Sequence, residues 1–263
     1  VASGNIDLQT ASVVWGAGGD RSGSRIALTA GGNVLSSGVL NASAIVIVAG
    51  GRIGNSAGNA NNAPIDPVTQ GVVSLTAQAG GAVSIDHQGG LVTLVDSTSG
   101  ATTFTNTAGA NAFAVKSNAG FSLAGDVAGS QVTLDASSGS IVRTAGAITA
   151  PVIVLRAPAG TIGTPPTTNV GPPATTVPPV PVLTATPAGG AATGTSLTAS
   201  ATEVHLSHSG GPVTLTSRPR CRVALVGILI VSGVASSFSA LTSARAALRS
   251  ACALSRSLVS DAT

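Results

Sequence analysis

Asp86, with His87 beside it, and Asp96 are the residues of this chain that could most readily do chemistry. Hydrolysis of a glycosidic bond needs two carboxyl groups roughly 5 to 10 Å apart, one as acid and one as nucleophile or base. No basic residue lies near this pair in the sequence to neutralise an acidic sugar, and both are equally readable as solvated residues at bends of the chain. His205 and His208 form an HxxH pattern, but in a strand that spacing sends the two rings to opposite faces, which disfavours a shared metal. The run Gly16-Ala17-Gly18-Gly19 could be read as a phosphate loop, yet no helical pattern follows it, so it reads as a bend. Phe104, Phe113 and Phe121 lie close in sequence and could fill a core or form a sugar platform. These comparisons assign no catalytic, cofactor-binding or metal-ligating residue, and the chain is expected not to be an enzyme.

The elements that would position such residues follow from a repeat. A tripeptide of β-branched or aromatic, any, then aliphatic residue recurs as Ile6-Asp7-Leu8, Ile26-Ala27-Leu28, Ile45-Val46-Ile47 and Val73-Ser74-Leu75. It continues as Val92-Thr93-Leu94, Phe113-Ala114-Val115, Val132-Thr133-Leu134 and Ile153-Val154-Leu155. Its third positions advance by 20, 19, 28, 19, 21, 19 and 21 residues. The long step contains residues 55–70, rich in Asn and holding Pro64 and Pro67, which reads as an inserted loop. Each tripeptide alternates inward and outward, the period of a strand with one buried face.

A second apolar spot follows about seven residues later, at Val34-Leu35, Ile53, Val83 with Ile85, Leu123, Ile141-Val142 and Ile162. Gly32, Gly51, Gly81, Gly120, Gly139 and Gly160 stand before these spots and are expected to supply left-handed bends. Two or three short strands per unit of about 20 residues predict an all-β chain, a right-handed parallel β-helix (solenoid) of about eight coils. Leucine-rich repeats share the period but need several Leu per unit and a helical segment, and a β-sandwich does not predict a constant step. Stacking would place Leu8, Leu28, Ile47, Leu75, Leu94, Val115, Leu134 and Leu155 in one interior ladder, with Asp7, Ala27, Val46, Ser74, Thr93, Ala114, Thr133 and Val154 outside. Val46 and Val154, apolar in that outer row, are expected under a loop or against another chain.

Composition agrees with a narrow core. Charged residues are 8% and aromatics 2%, while 43% of the chain is hydrophobic, which separates it from disordered sequences. The net charge of +3 resides in the C-terminal part: residues 1–217 carry six basic and eight acidic groups, residues 218–263 six Arg and one Asp. No basic cluster in the body could track phosphates, so nucleic acid is not expected as a partner. The two cysteines, Cys221 and Cys252, leave residues 1–217 without a disulfide framework. The chain opens at Val1 without a charged-then-apolar leader and reads as a fragment or processed product.

Units such as residues 131–150 and 152–164 resemble the repeats of filamentous-haemagglutinin exoproteins, which are secreted by the two-partner route. The resemblance covers about residues 3–163 and, more weakly, 195–217. It implies an adhesin: a structural, adhesive rod at the bacterial cell surface, threaded through an outer-membrane transporter and folding outside. Its partner would be a host-cell surface glycan or protein receptor, with no cofactor. A carbohydrate-active β-helix enzyme, a polysaccharide lyase or glycosidase, is the alternative.

The domain reading is then a β-helix over 1–163, a Pro/Thr/Gly-rich linker or excursion over 164–194, a possible further coil over 195–217 and a basic, apolar tail over 218–263. The linker holds more than half of the 14 prolines, which cannot donate to a ladder. The tail is uncharged over 223–244, compatible with a membrane segment, a cap on the rod or a frame artefact.

Overall fold

The computed structural model describes residues 1–8, 13–14, 24–35, 40–54, 73–87, 89–165, 167–169, 175–177, 179–187, 195–210, 213–217 and 222–228. The glycine run 16–19, the expected loop 55–70 and most of the tail lie outside them.

Among the described residues all regular structure is β-strand, and 17 strands join in one sheet. The pairings within it are parallel, an arrangement that fits a parallel β-helix. Three rows of stacked strands carry the sheet. The first runs through Arg25–Ala30, Ala44–Ala49, Val73–Ala79, Val92–Leu94, Phe121–Leu123 and Ile141–Arg143. The second runs through Asn106–Thr107, Val127–Ala128, Ile148–Thr149 and Val182–Ala185. The third runs through Val83–His87, Ala112–Ser117, Gln131–Ala136, Val152–Ile162, Thr195–Ser209 and Val213–Ser217.

The strands form where the sequence alternates. Gln131–Ala136 reads exposed, buried, half-buried, buried, half-buried, buried, so Val132 and Leu134 point in while Thr133 points out. Inward residues stack on their like: Ile85, Val115, Leu134 and Leu155 in one row, Leu75, Leu94 and Leu123 in another, none more than 2% exposed. Burying each such side chain contributes about 1.5–3 kcal/mol, and the core they form is continuous.

The structure corrects the single interior ladder. Leu28 does register with Ile47, and Leu75 with Leu94, in parallel. Leu75, however, stands over Ile45 rather than Ile47, and Leu94 meets Leu123 rather than Val115. Val115, Leu134 and Leu155 belong to the third row, and Leu8 donates its N–H to Leu35, away from Leu28. For Leu94 and Val115 the cause is an insertion. An antiparallel hairpin, Ser97–Ser99 with Thr102–Phe104, follows Leu94. It lengthens that unit, so a step of about 20 residues lands on a strand of a different row.

The glycine expectation also changes. Positive φ occurs at Gly54, Gly100, Gly109, Gly146, Gly163 and Gly210, not at the six expected bends. Gly120, Gly139 and Gly160 are needed for proximity: a Cβ on Gly139 would stand 2.6 Å from the Ala119 carbonyl oxygen, and one on Gly120 2.5 Å from that of Ser140. Stacked backbones pass too closely there for any side chain.

The Pro-rich stretch forms a second antiparallel hairpin, Thr167–Asn169 with Thr175–Val177, and then rejoins the sheet at Val182–Ala185. Arg222–Ile228, within the expected tail, pairs in parallel with Thr195–Ser209. No helix among the described residues is long and apolar enough to cross a membrane.

Candidate functional site

The carboxylates singled out by sequence are assigned to different rows. Asp86 lies half-buried in Val83–His87, in register with Lys116, which registers in turn with Asp135 and Asp135 with Arg156. Negative and positive groups thus alternate along one outward row, with Arg156 Nη1 3.6 Å from Asp135 Oδ2. These side chains are 53% and 28% exposed, so the pair is worth about 0–1 kcal/mol. His87, next to Asp86, points inward and is buried.

Asp96 sits at the bend after Val92–Leu94 and meets Asp126, a residue the sequence reading did not single out. Asp126 follows Leu123, the register partner of Leu94, so the signal was legible only with the hairpin accounted for. Asp96 as a whole is exposed, but a Cβ on Gly125 would stand 2.7 Å from its Oδ1. Burial of that carboxyl end raises its pKa above the ordinary 3.8; the Asp126 carboxylate raises it further, and the N–H donated by Asp126 pulls it back. Asp126 Oδ1 in turn accepts the N–H of Ala147 at 2.9 Å. The two carboxylates therefore cap the backbone of the following stacked bend. Asn33 Oδ1 does the same for Arg52 N–H at 2.9 Å, and Ser140 Oγ for Thr161 N–H at 2.9 Å. Short polar side chains at bends satisfy donors that the strand ladders leave over.

The histidines separate as their spacing predicts. His205 Nε2 donates to Glu203 Oε1 at 2.9 Å, on a side chain only 2% exposed. Its Nδ1 is buried without a hydrogen-bond partner. His208 points into a hydroxyl network instead. Thr195 Oγ1 donates to the Ala150 carbonyl at 3.3 Å, so it accepts from Thr186 Oγ1 at 2.9 Å. Thr186 Oγ1 lies 3.2 Å from His208 Nε2, and Thr184 Oγ1, whose hydroxyl donates to the Ser207 carbonyl at 3.2 Å, lies 3.0 Å from Nδ1. Burial holds the His208 pKa below the ordinary 6.5. Among the described residues no group of three or more His, Cys, Asp or Glu side chains could hold a metal ion.

Phe113 and Phe121 are fully buried, each stacked between aliphatic residues: Val83 and Val132 for the first, Val92 and Ile141 for the second. Phe104 is half-buried on the 97–104 hairpin, paired with Ser97. The three do not form one platform.

What the fold repeats on its surface is an outward row, Ser84, Ala114, Thr133, Val154, Thr198 and Thr216, in continuous register. Its residues are half-buried or exposed, short and uncharged, about 4.8 Å apart from strand to strand. Beside it runs the alternating Asp86–Lys116–Asp135–Arg156 row. Such a face can bind by hydroxyl hydrogen bonds and shallow apolar contact along its length. Family models, the curated proteins and the solved structures returned no match to this chain.

Proposed function

We propose that this chain is a segment of a right-handed parallel β-helix of about eight coils, belonging to a secreted bacterial surface exoprotein of the filamentous-haemagglutinin type, and that it serves as an adhesive rod. The observation that carries the reading is the parallel register of the outward row from Ser84 to Thr216, a surface that repeats with the strand spacing. Parallel strands joined by crossovers are right-handed in the great majority of cases. The absence of cysteine from residues 1–217 suits passage through an outer-membrane transporter as an unfolded chain. The partner is a host-cell surface glycan or protein receptor met along the outward face. The test is adhesion of beads coated with the full chain to epithelial cells. Binding above that of beads coated with heat-denatured chain supports the reading, and equal binding overturns it.

The Asp96–Asp126 pair, with one carboxyl raised in pKa, is what favours the alternative of a glycosidase or lyase. Its test is release of reducing ends from a panel of neutral and acidic polysaccharides. Release abolished by Asp96→Asn would establish that alternative over the adhesive rod.

A further inference from the structure

We infer that the 97–104 hairpin is a hinged strap folded over the outward face of Val73–Ala79 and Ala44–Ala49, and that it controls solvent access to that face. The evidence begins with burial. Thr76 occupies an outward position, between inward Leu75 and Ala77, yet it is 0% exposed. Val46, its register partner, is 6% exposed, while Ala27, the next residue of the same row, is open to solvent. The cover is complete beside the hairpin and fades with distance from it.

Hydrogen bonds show how the hairpin is held. At its root, the Val95 carbonyl accepts from Thr76 Oγ1 at 2.8 Å and from Asn106 Nδ2 at 3.0 Å. Asn106 is fully buried, and its Oδ1 accepts the N–H of Ala77 at 3.0 Å. Thr105 N–H donates to Gln78 Oε1 at 3.2 Å. Both ends of the hairpin are thus fastened to Val73–Ala79, against which Thr102–Phe104 also packs. Further out, Arg25 Nη2 donates to Ser97 Oγ at 3.3 Å in an exposed bond, reaching the strand two places away. A buried, multiply bonded root with an exposed hydrogen bond at its outer part is the geometry of a hinge.

The stacking does not need the hairpin for the chain to turn. At the same bend of the next unit Leu123 passes to Val127 through Ala124, Gly125 and Asp126 alone, with Leu123 stacked on Leu94 and Val127 on Asn106. What the hairpin adds is the cover over an outward Val and Thr. This accounts for Val46, an apolar residue in an outer row.

The test uses thiol accessibility in the full chain, with Cys221→Ser and Cys252→Ser as background. Val46→Cys places a small apolar thiol under the strap, and Ile47→Cys places one in the core as a control for unfolding. Removing residues 97–104 should speed labelling of Val46→Cys by roughly tenfold or more, and Ser97→Ala by a smaller factor, with Ile47→Cys unchanged. Unchanged labelling of Val46→Cys in both variants would overturn the strap. So would equal acceleration at Ile47→Cys, which would make the hairpin part of the core's own stability.

Discussion

Replacing Leu94 tests the stacked interior at its most constrained point. Leu94 is 0% exposed and lies in register between Leu75 and Leu123, each 1% exposed. Truncating a buried Leu to Ala costs about 2–5 kcal/mol, more where the site cannot collapse. Here the neighbours above and below are held by ladder hydrogen bonds at the strand spacing, so Leu94→Ala belongs in the upper half of that range, about 3–5 kcal/mol. Leu94→Asp goes further, since a carboxylate in this row would meet leucine on either side and must take up a proton or open the strand. Thr93 points outward and is half-buried, and Thr93→Asp should cost about 1 kcal/mol or less. Urea unfolding of the full chain followed by circular dichroism reads the difference, with amide exchange at Leu75 and Leu123 reporting whether the damage is local, as stacked repeats allow. Equal losses for Leu94→Asp and Thr93→Asp would refute the assignment of inward and outward faces.

Three further outcomes follow from other parts of the molecule. The His208 pKa is lowered on folding, so below the ordinary 6.5 the unfolded chain binds the proton first; stability should fall as pH drops from there through the lowered folded value. Urea midpoints across that range should show the fall in the native chain and a flatter profile in His208→Gln. Asp126→Asn removes the second cause of the raised Asp96 pKa but not the first, burial, so carboxyl NMR should find the Asp96 pKa lowered yet still above 3.8. Gly139→Ala drives a Cβ to 2.6 Å from the Ala119 carbonyl oxygen, a backbone atom, and should cost about 1–3 kcal/mol in thermal or urea unfolding.

The strands were legible in the sequence because alternation is local. Val132-Thr133-Leu134 and Ile153-Val154-Leu155 read as half-buried strands, and the structure puts them in register. Pairing was less legible because it depends on what lies between the strands. The 21-residue step from Leu94 to Val115 matches the period, yet the hairpin inserted after Leu94 makes Leu123 its true neighbour. The same displacement hid Asp126 from Asp96. Glycine at the bends was recognisable as a requirement, but whether φ or proximity demands it depends on the neighbouring backbone, as at Gly139. The hydroxyl network around His208 was out of reach, since it joins Thr184, Thr186 and Thr195 with Ala150 across three separate segments. Val46, an apolar residue that the outer row leaves without an obvious place, is 6% exposed.

The central claim is that outward residues of successive strands stand in parallel register. Pairs of cysteines introduced into a chain carrying Cys221→Ser and Cys252→Ser test it directly with a short bifunctional thiol reagent. Ala114 registers with Thr133, Thr133 with Val154, and Lys116 with Asp135, so each pair should stand about 5 Å apart and cross-link readily. Ala114 and Val154, two strands apart at roughly 10 Å, should not. An antiparallel pairing centred on Ala114 and Thr133 would instead bring Lys116 to Gln131. Rapid cross-linking of Lys116→Cys with Asp135→Cys, and none with Gln131→Cys, is the result the account predicts; the reverse would contradict it.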